Sequence, residues 1–346
     1  MRVTVKKIAE LAGVSPSTVS RIISGRGGVA EEKREQVKAV LKQLAQKPDS
    51  RRVSSLARNI GVLIPPHLEL DQRVILEKLE ILARSLPPKW NLLLLSPEIV
   101  SYELESRYLR GELSGLILFG YGVERNDLGG ALKQIPHVWM NSHRNADQAK
   151  SILMGNELAG RLAARYLLEH RCRKTAVLVA ESLNPGFSAR IDGFRFEYFT
   201  NALSCRELAL PFKLQRQKLE VCHDADLEAA LTGLLDREPL GKYDGIFSPE
   251  ERLTPLLYRV CRKAGYARLP LIISCNHTPE YLAGLYPRPA SIDLGAQTVA
   301  EMALKELFRR VAGAPERADN IAVITTPQIV PGDPPIPRRR GGDRSE

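Results

Sequence analysis

The 346-residue sequence predicts a small all-α helix-turn-helix domain followed by a two-lobed α/β core built on parallel sheets. Three observations predict this fold class. The first 45 residues contain three short amphipathic segments with the spacing of a helix-turn-helix. From Ile60 onward, short apolar runs alternate with longer amphipathic segments, which is typical of parallel sheets covered by helices. This second region has roughly 270 residues, more than one α/β layer usually needs, so we expect two lobes.

The first predicted helix runs over Val5–Ala12, with Thr4 as its N-cap. Ile8 and Leu11 are its apolar positions, and we expect both side chains to face inward. Gly13 ends the helix, because glycine adopts the positive φ that a helix C-terminus commonly requires.

The second predicted helix has Ser15 as its N-cap and Pro16 at its first position, where a missing N–H costs nothing. Its inner face consists of Val19, Ile22 and Ile23. In the third helix, Glu31 and Glu32 lie near the positive N-terminal end. The apolar positions of that helix follow the i, i+3, i+4, i+7 pattern and are Val37, Val40, Leu41 and Leu44.

The positive charge of the chain is concentrated at its N-terminus. Residues 1–60 contain 13 basic and 5 acidic side chains, a net charge of +8, whereas the whole chain carries +10. A basic segment on a nearly neutral body indicates contact with a polyanion. A basic surface that only aids solubility is the alternative.

The predicted domain organisation follows from these patterns and from changes in composition. We expect a DNA-binding head at residues 1–48, a hinge at 49–59, a core at 60–331 and a disordered Pro- and Arg-rich tail at 332–346. Within the core, we expect a first lobe at about 60–150 plus 292–318 and a second at about 151–291 plus 319–331.

The core pattern predicts seven strands and seven helices. The strands are Ile60–Ile64, Asn91–Leu95, Gly115–Phe119, His137–Met140, Ala176–Ala180, Gly245–Phe247 and Leu271–Ser274. The helices are Gln72–Leu86, Ser101–Gly111, Asn156–His170, Phe187–Leu203, Asp226–Asp236, Leu253–Ala264 and Gln297–Val311.

The outer face of the second helix carries the candidate DNA-reading residues. It presents small and polar side chains away from the apolar face, namely Pro16, Ser17, Ser20, Arg21 and Ser24. Small residues let a helix sit deep in the major groove, and short hydroxyls suit phosphate oxygens or base edges. Arg21 is the long donor of this face, and a bidentate contact to guanine contributes about 1–3 kcal/mol of discrimination. A solvated surface charge is the alternative role for Arg21.

The sequence resembles the LacI/GalR family of bacterial transcriptional regulators. The resemblance is carried by VTVKKIAELAGVSPSTVSRIISG and VAEEKREQVKAVLKQL, and more loosely by IGVLIPP, LSGLILFG, IPHVWMN, MGNELAGRLAARYLLEH, ARIDGFR and YDGIFS. It implies a homodimer that binds double-stranded DNA at a pseudo-palindromic operator. It also implies a core like that of periplasmic sugar-binding proteins, with a small-molecule, sugar-like effector bound between the lobes.

By position in this family, Ser15 and Thr18 match sites that contact the DNA backbone, and Pro16, Ser17 and Arg21 match base-reading sites. The other candidate DNA contacts are Thr4, Ser20, Ser24, Arg51 and Leu56. Leu56 is the candidate hinge leucine that wedges into the minor groove, and packing against the core is its alternative role. The linker here is several residues shorter than is usual in the family, and counting from Pro48 places the hinge-leucine position on Ser55.

The resemblance also supplies effector-site candidates. Arg190 in ARIDGFR matches an arginine that reaches the ligand, and a buried ion pair with Asp192 or Glu181 is its alternative role. Three other candidates, Asn141, Glu250 and Asn276, follow predicted strands, where α/β sheets bind ligands. The last candidate, Asp293, is placed in the same region by a looser alignment with the family. Glu250-Glu251 stands where the family usually has Asn-Asp, and Asn276 replaces an Asp, so the class of ligand stays open.

Several other classes of protein have no support in the sequence. No HExxH, Walker A or GxSxG motif occurs, and the six histidines have no metal-ligand spacing, so we predict no enzyme, cofactor or metal site. The five scattered cysteines indicate reduced thiols. The absence of a long apolar run or secretory signal predicts a cytoplasmic protein that does not enter a membrane.

The sequence therefore predicts a homodimeric transcriptional repressor whose DNA affinity is modulated by a small molecule. Two alternatives stay open. In the first, the protein is a regulator that needs no effector or is controlled by a partner protein. In the second, it is a sugar-binding module with a vestigial DNA-binding head.

Overall fold

The computed structural model describes residues 5–23, 28–45, 58–64, 72–96, 99–119, 128–141, 151–180, 185–210, 223–314 and 322–334. Within these ranges, no helix is both long enough and apolar enough to cross a membrane. The chain forms two compact units. The first comprises Met1–Pro66, Leu79–Ile152 and Ala300–Ala322, and the second comprises His67–Lys78, Leu153–Val299 and Val323–Glu346.

The N-terminal part of the first unit contains the three predicted helices. They are α1 (Val5–Ala12), α2 (Pro16–Ile23) and α3 (Glu31–Ala45). Their shared core consists of small and branched apolar side chains, namely Ile8, Ala9, Ala12, Val19, Ile22, Val37 and Val40. The predicted helix-turn-helix is thus present, and its buried cluster is small.

One inward-facing residue of the first helix was predicted incorrectly. Leu11 is 49% exposed, whereas Ala9 and Ala12 lie in the core with Ile8. Each residue turns the helix by roughly 100°, so Ile8, Ala9 and Ala12 share one stripe and Leu11 lies to its side. The prediction gave weight to Leu11 because it is the larger apolar residue, and it gave none to the two alanines.

The α/β part contains twelve strands and nine further helices among the described residues. The strands are β1 (Asn59–Leu63), β2 (Asn91–Leu95), β3 (Gly115–Phe119), β4 (His137–Met140), β5 (Ser151–Leu153), β6 (Thr175–Val179), β7 (Cys205–Ala209), β8 (Gly245–Ser248), β9 (Leu271–Cys275), β10 (Ala290–Asp293), β11 (Val323–Ile324) and β12 (Gln328–Val330). The helices are α4 (Gln72–Ser85), α5 (Ser101–Leu109), α6 (Gly129–Leu132), α7 (Asn156–Glu169), α8 (Pro185–Thr200), α9 (Asp224–Arg237), α10 (Leu253–Lys263), α11 (Pro279–Leu282) and α12 (Ala296–Val311).

The strands form two six-stranded sheets, which confirms the predicted fold class. The first has the order β11-β5-β4-β3-β1-β2 and the second β12-β10-β9-β8-β6-β7. Neighbours within β1–β5 and within β6–β10 run parallel, while β10 and β12 run antiparallel. Every residue of β3 and β8 is buried, as expected for central parallel strands covered on both faces.

The order in which the chain adds strands to the second sheet reverses between β6 and β8, because β7 lies on one side of β6 and β8 lies on the other. At such a point, the segments that leave the carboxyl ends of the two strands diverge and open a crevice. This edge of the sheet is therefore where the second unit is expected to hold a ligand.

Candidate nucleic-acid interface and effector site

The start of α2 is fixed by the predicted serine cap. Ser15 Oγ accepts a hydrogen bond from the Thr18 backbone N–H at 3.1 Å and lies 2.8 Å from both Ser17 Oγ and Thr18 Oγ1. Pro16 is the first helical residue. The three hydroxyls thus form one connected group at the positive end of α2, which is an arrangement suited to phosphate oxygens.

The outer face of α2 is open to solvent. Ser15, Pro16, Ser17, Ser20 and Arg21 are exposed, and Thr18 is half-buried. On the inner side of the same helix, Val19 and Ile22 are buried in the three-helix core. Four other candidate DNA contacts, Thr4, Ser24, Arg51 and Leu56, lie outside the described residues.

Four of the effector-site candidates gather at the carboxyl edge of the second sheet. Glu250 follows β8, Asn276 follows β9, Asp293 ends β10, and Arg190 comes from α8 after β6. The buried thiol of Cys275 lies near the charged side chains of this group. Burial raises its pKa to about 12, with Arg190 opposing the rise and Glu251, Glu250 and Asp293 adding to it.

The described contacts of Arg190 are made with neutral groups and with an aromatic ring. Its Nε donates to Asn156 Oδ1 at 2.8 Å and its Nη1 to the Pro249 carbonyl at 2.5 Å. The guanidinium also lies 4.9 Å from the Phe187 ring centroid. Asp192 instead faces Arg195 at 3.9 Å, and residue 181 lies outside the described ranges. Arg190 is 6% exposed, and these two hydrogen-bond partners are neutral.

Two glycines that the sequence analysis did not single out make this placement possible. A methyl group at Gly160 of α7 would overlap the Arg190 carbonyl oxygen, and one at Gly193 of α8 would overlap the Glu157 carbonyl oxygen. The backbones of α7 and α8 therefore approach closely only because both positions lack a side chain. This contact brings Asn156, at the start of α7, against the arginine.

Glu251 is a further buried carboxylate. The sequence predicted its neighbour Glu250, and not Glu251, as a candidate ligand contact. Its Oε1 accepts hydrogen bonds from Ser274 Oγ at 2.7 Å and from Ser291 Oγ, and its Oε2 accepts one from the Thr278 backbone N–H. Serines inside the apolar strands β9 and β10 were the signal in the sequence that a polar group approaches those strands.

The positions of the other candidates are set by the backbone close to each of them. Asn276 has a positive φ of 126°, and its N–H donates to Ile292 O at 3.0 Å. Asp293 Oδ1 accepts from the Gly295 N–H at 2.8 Å, before α12. Asn141 belongs to the first sheet, where it follows β4 with a φ of 57°. Its Oδ1 is buried without a hydrogen-bond partner among the described residues.

Sequence comparison relates the chain to known regulators. The family described as "Bacterial regulatory proteins, lacI family" matches residues 4–49. The transcriptional repressor PurR of Vibrio cholerae is 29% identical over 201 residues, which are 56% of this chain and 59% of that protein. The match thus spans less than two thirds of PurR. The regulator GntR of Pseudomonas aeruginosa is 29% identical over 329 residues, 90% of each chain.

Two solved structures with related folds cover nearly the whole chain. The complex of the regulator CelR with cellobiose has a TM-score of 0.61 at 18% identity and covers 96% of this chain and 99% of that one. The lac repressor dimer bound to operator and the anti-inducer ONPF has a TM-score of 0.60 at 17% identity, with the same coverage. At these identities the structures establish the fold alone. The relatives named here are regulators rather than enzymes, as predicted.

Proposed function

We propose that the chain is a member of the LacI family of bacterial regulatory proteins and a homodimeric transcriptional repressor that binds DNA sequence-specifically. The exposed outer face of α2 is the observation that carries this proposal. It combines capped hydroxyls at the helix N-terminus with Arg21 on a segment of net charge +8. Phosphate contacts from such a segment give affinity that falls as salt rises, and the α2 side chains give sequence preference.

In this proposal, two copies of the head bind the half-sites of a pseudo-palindromic operator. Ser15 and Thr18 contact the DNA backbone, and Pro16, Ser17 and Arg21 read bases, with Ser20 and Ser24 beside them. Thr4 and Arg51 add backbone contacts, and Leu56 wedges into the minor groove from the hinge. The proposed domains are the head at 1–48, the hinge at 49–59, the two-lobed core at 60–331 and the tail at 332–346. We place the protein in the bacterial cytoplasm.

The proposed effector is a small, hydroxylated molecule bound at the carboxyl edge of the second sheet. The cellobiose complex of CelR supports a sugar-like class. Arg190, Glu250, Asn276 and Asp293 are the proposed contacts, with Asn141 as a further one. The effector modulates repression by binding one of two conformations of the protein more tightly than the other, since only differential affinity shifts an equilibrium.

The experiment that tests the proposed function is selection of binding sites from a random duplex pool by the full-length protein at near-physiological salt. We expect a two-fold symmetric motif, because a dimer of heads imposes its symmetry on the DNA. Recovery of no motif, with binding that disappears as salt rises, would contradict specific recognition.

A further inference from the structure

We infer that Tyr102 of α5 docks the DNA-binding head on the α/β part of the first unit and thereby sets the half-site spacing that the dimer accepts. In this role Tyr102 is a positioning residue, because it acts through the head rather than on the DNA. The role rests on the proposed function, since half-site spacing matters only to a dimer that binds DNA. The head and α5 belong to the same compact unit.

The ring of Tyr102 packs against the buried cluster of the head. That cluster consists of side chains from all three head helices, and Tyr102 borders it together with Val14 and Val29. Val14 and Val29 are themselves head residues, whereas Tyr102 lies in the first turn of α5 and is far along the chain. The ring therefore makes a tertiary contact between the head and the α/β part of the unit.

The two sides of α5 serve different clusters. Leu104 belongs to the buried apolar cluster of the first sheet, and Tyr108 packs against that same cluster. Two residues along an α-helix turn by roughly 200°, so Tyr102 and Leu104 lie on nearly opposite sides of α5. One side of the helix thus contacts the core of its own sheet, and the other side contacts the head.

The contact is closed to solvent but leaves polar atoms unpaired. The hydroxyl oxygen of Tyr102 and Nε of Arg34 on α3 are both buried, and neither has a hydrogen-bond partner within the described ranges. Burial also raises the pKa of this phenol to about 12. A buried polar atom without a partner costs free energy, so the aromatic ring and not its hydroxyl stabilises the docked head.

Docking leaves the outer face of α2 free. Arg21 on that face is exposed, while Tyr102 packs against the cluster on the inner side of the head. The head can therefore bind DNA while docked, with the direction of α2 fixed by α5. A head held by its linker alone would have far more freedom, because thirteen residues separate Ala45 from Asn59 and can span up to roughly 45 Å.

A docked head restricts operator spacing more than a tethered head does. Each base pair inserted between the half-sites moves one of them by about 3.4 Å and rotates it by roughly 35° around the DNA axis. Two heads that are fixed to their own α/β parts cannot both follow this displacement. Simultaneous binding of both half-sites is then lost, and with it the gain in affinity that the dimer provides.

The test measures the affinity of the full-length protein for duplexes that carry the selected operator with one, two or three base pairs inserted between its half-sites. We expect the unmodified protein to lose about tenfold or more in affinity at two inserted base pairs. In Tyr102→Ala the loss should be about threefold or less, because the released head follows the displaced half-site. A spacing penalty imposed by the hinge would persist in Tyr102→Ala and would overturn the inference, as would equal binding of all spacings by the unmodified protein.

Two further variants separate this role from general damage to α5. Tyr102→Phe keeps the ring and removes only the unpaired hydroxyl, so it should retain the full spacing penalty. Tyr108→Ala removes a ring from the opposite contact of the same helix, so it should lower the stability of the α/β part and leave the spacing penalty unchanged. Loss of the penalty in either variant would contradict the role of the Tyr102 ring.

Hydrogen exchange tests docking without DNA and separates this inference from the proposed function. Backbone amides of α1 and α3 should exchange at least about threefold faster in Tyr102→Ala than in the unmodified protein, with strands β1 to β4 unchanged. Unchanged exchange in the head would overturn the inference even where an operator is selected. Failure to select any operator would instead remove the proposed function, and faster exchange of the head in Tyr102→Ala would still support docking.

Discussion

The outer face of α2 and the carboxyl edge of the second sheet are built in opposite ways. The α2 face is formed by consecutive residues, is exposed, and is held by local hydrogen bonds between Ser15 and Thr18. The sheet edge is buried and brings together residues that are far apart in the chain, such as Arg190 and Asn156. Substitutions at the first site should therefore change DNA binding with little effect on folding, whereas substitutions around the second should change both ligand binding and stability.

The largest effect is expected where the two helices behind Arg190 meet. Gly160→Ala or Gly193→Ala gains about 1 kcal/mol of helix propensity but places a methyl group on a facing carbonyl oxygen, which typically costs about 1–3 kcal/mol or more. We expect a net loss of about 2 kcal/mol in the free energy of unfolding and loss of effector binding. Chemical denaturation and calorimetry measure both quantities.

Gly233→Ala is the matched control for these two variants. Gly233 is also inside a helix, α9, but an added methyl group there meets no atom within 4 Å. Only the propensity term remains, so this variant should be stabilised by about 0.5–1 kcal/mol. Stabilisation by all three alanines would show that α7 and α8 do not approach as closely as described.

At the α2 face, Ser15→Asp separates capping from DNA contact. Aspartate caps helices as well as serine does, so the stability of the head should change by less than about 0.5 kcal/mol. The added negative charge faces the phosphates, so DNA affinity should fall at least about tenfold at near-physiological salt. Ser15→Asn, which caps without charge, is the control and should bind DNA more tightly than the aspartate variant. Equal DNA binding by the two variants would remove Ser15 from the interface.

The smallest effect is expected at Leu11. Because its side chain is half exposed, Leu11→Ser should change the stability of the protein by less than about 0.5 kcal/mol. Ile8→Ala, one turn earlier in the buried cluster, should cost about 2–4 kcal/mol. Thermal unfolding of the head, measured for both variants, would compare them. A large loss of stability in Leu11→Ser would support the inward-facing position first predicted for this residue.

The sequence predicted the local features of the fold well, because its helix caps and apolar periods are local signals. Ser15, Pro16 and the strands β1 to β4 lie where they were expected. The strands β5, β7, β10, β11 and β12 were missed because they are short or polar, and β7, for example, is the largely exposed segment CRELA. Such strands are fixed by pairing with partners elsewhere in the chain.

The effector edge was predictable in outline only. Predicted strand ends pointed to Glu250 and Asn276, and a loose family alignment pointed to Asp293. Nothing local in the sequence indicated that Asn156 supports Arg190 or that Glu251 binds two strand serines. Those contacts depend on the close approach of α7 and α8 and on the register of β9 with β10. Both features are properties of the folded chain.

The central claim, that α2 reads DNA through Arg21, is tested most directly by comparing Arg21→Ala with Lys33→Ala on a selected operator and on a scrambled duplex. Both variants remove one exposed positive charge from the head. We predict that Arg21→Ala lowers the ratio of specific to non-specific affinity by about tenfold or more, whereas Lys33→Ala leaves that ratio unchanged. An equal loss of affinity for both duplexes in Arg21→Ala would contradict the claim.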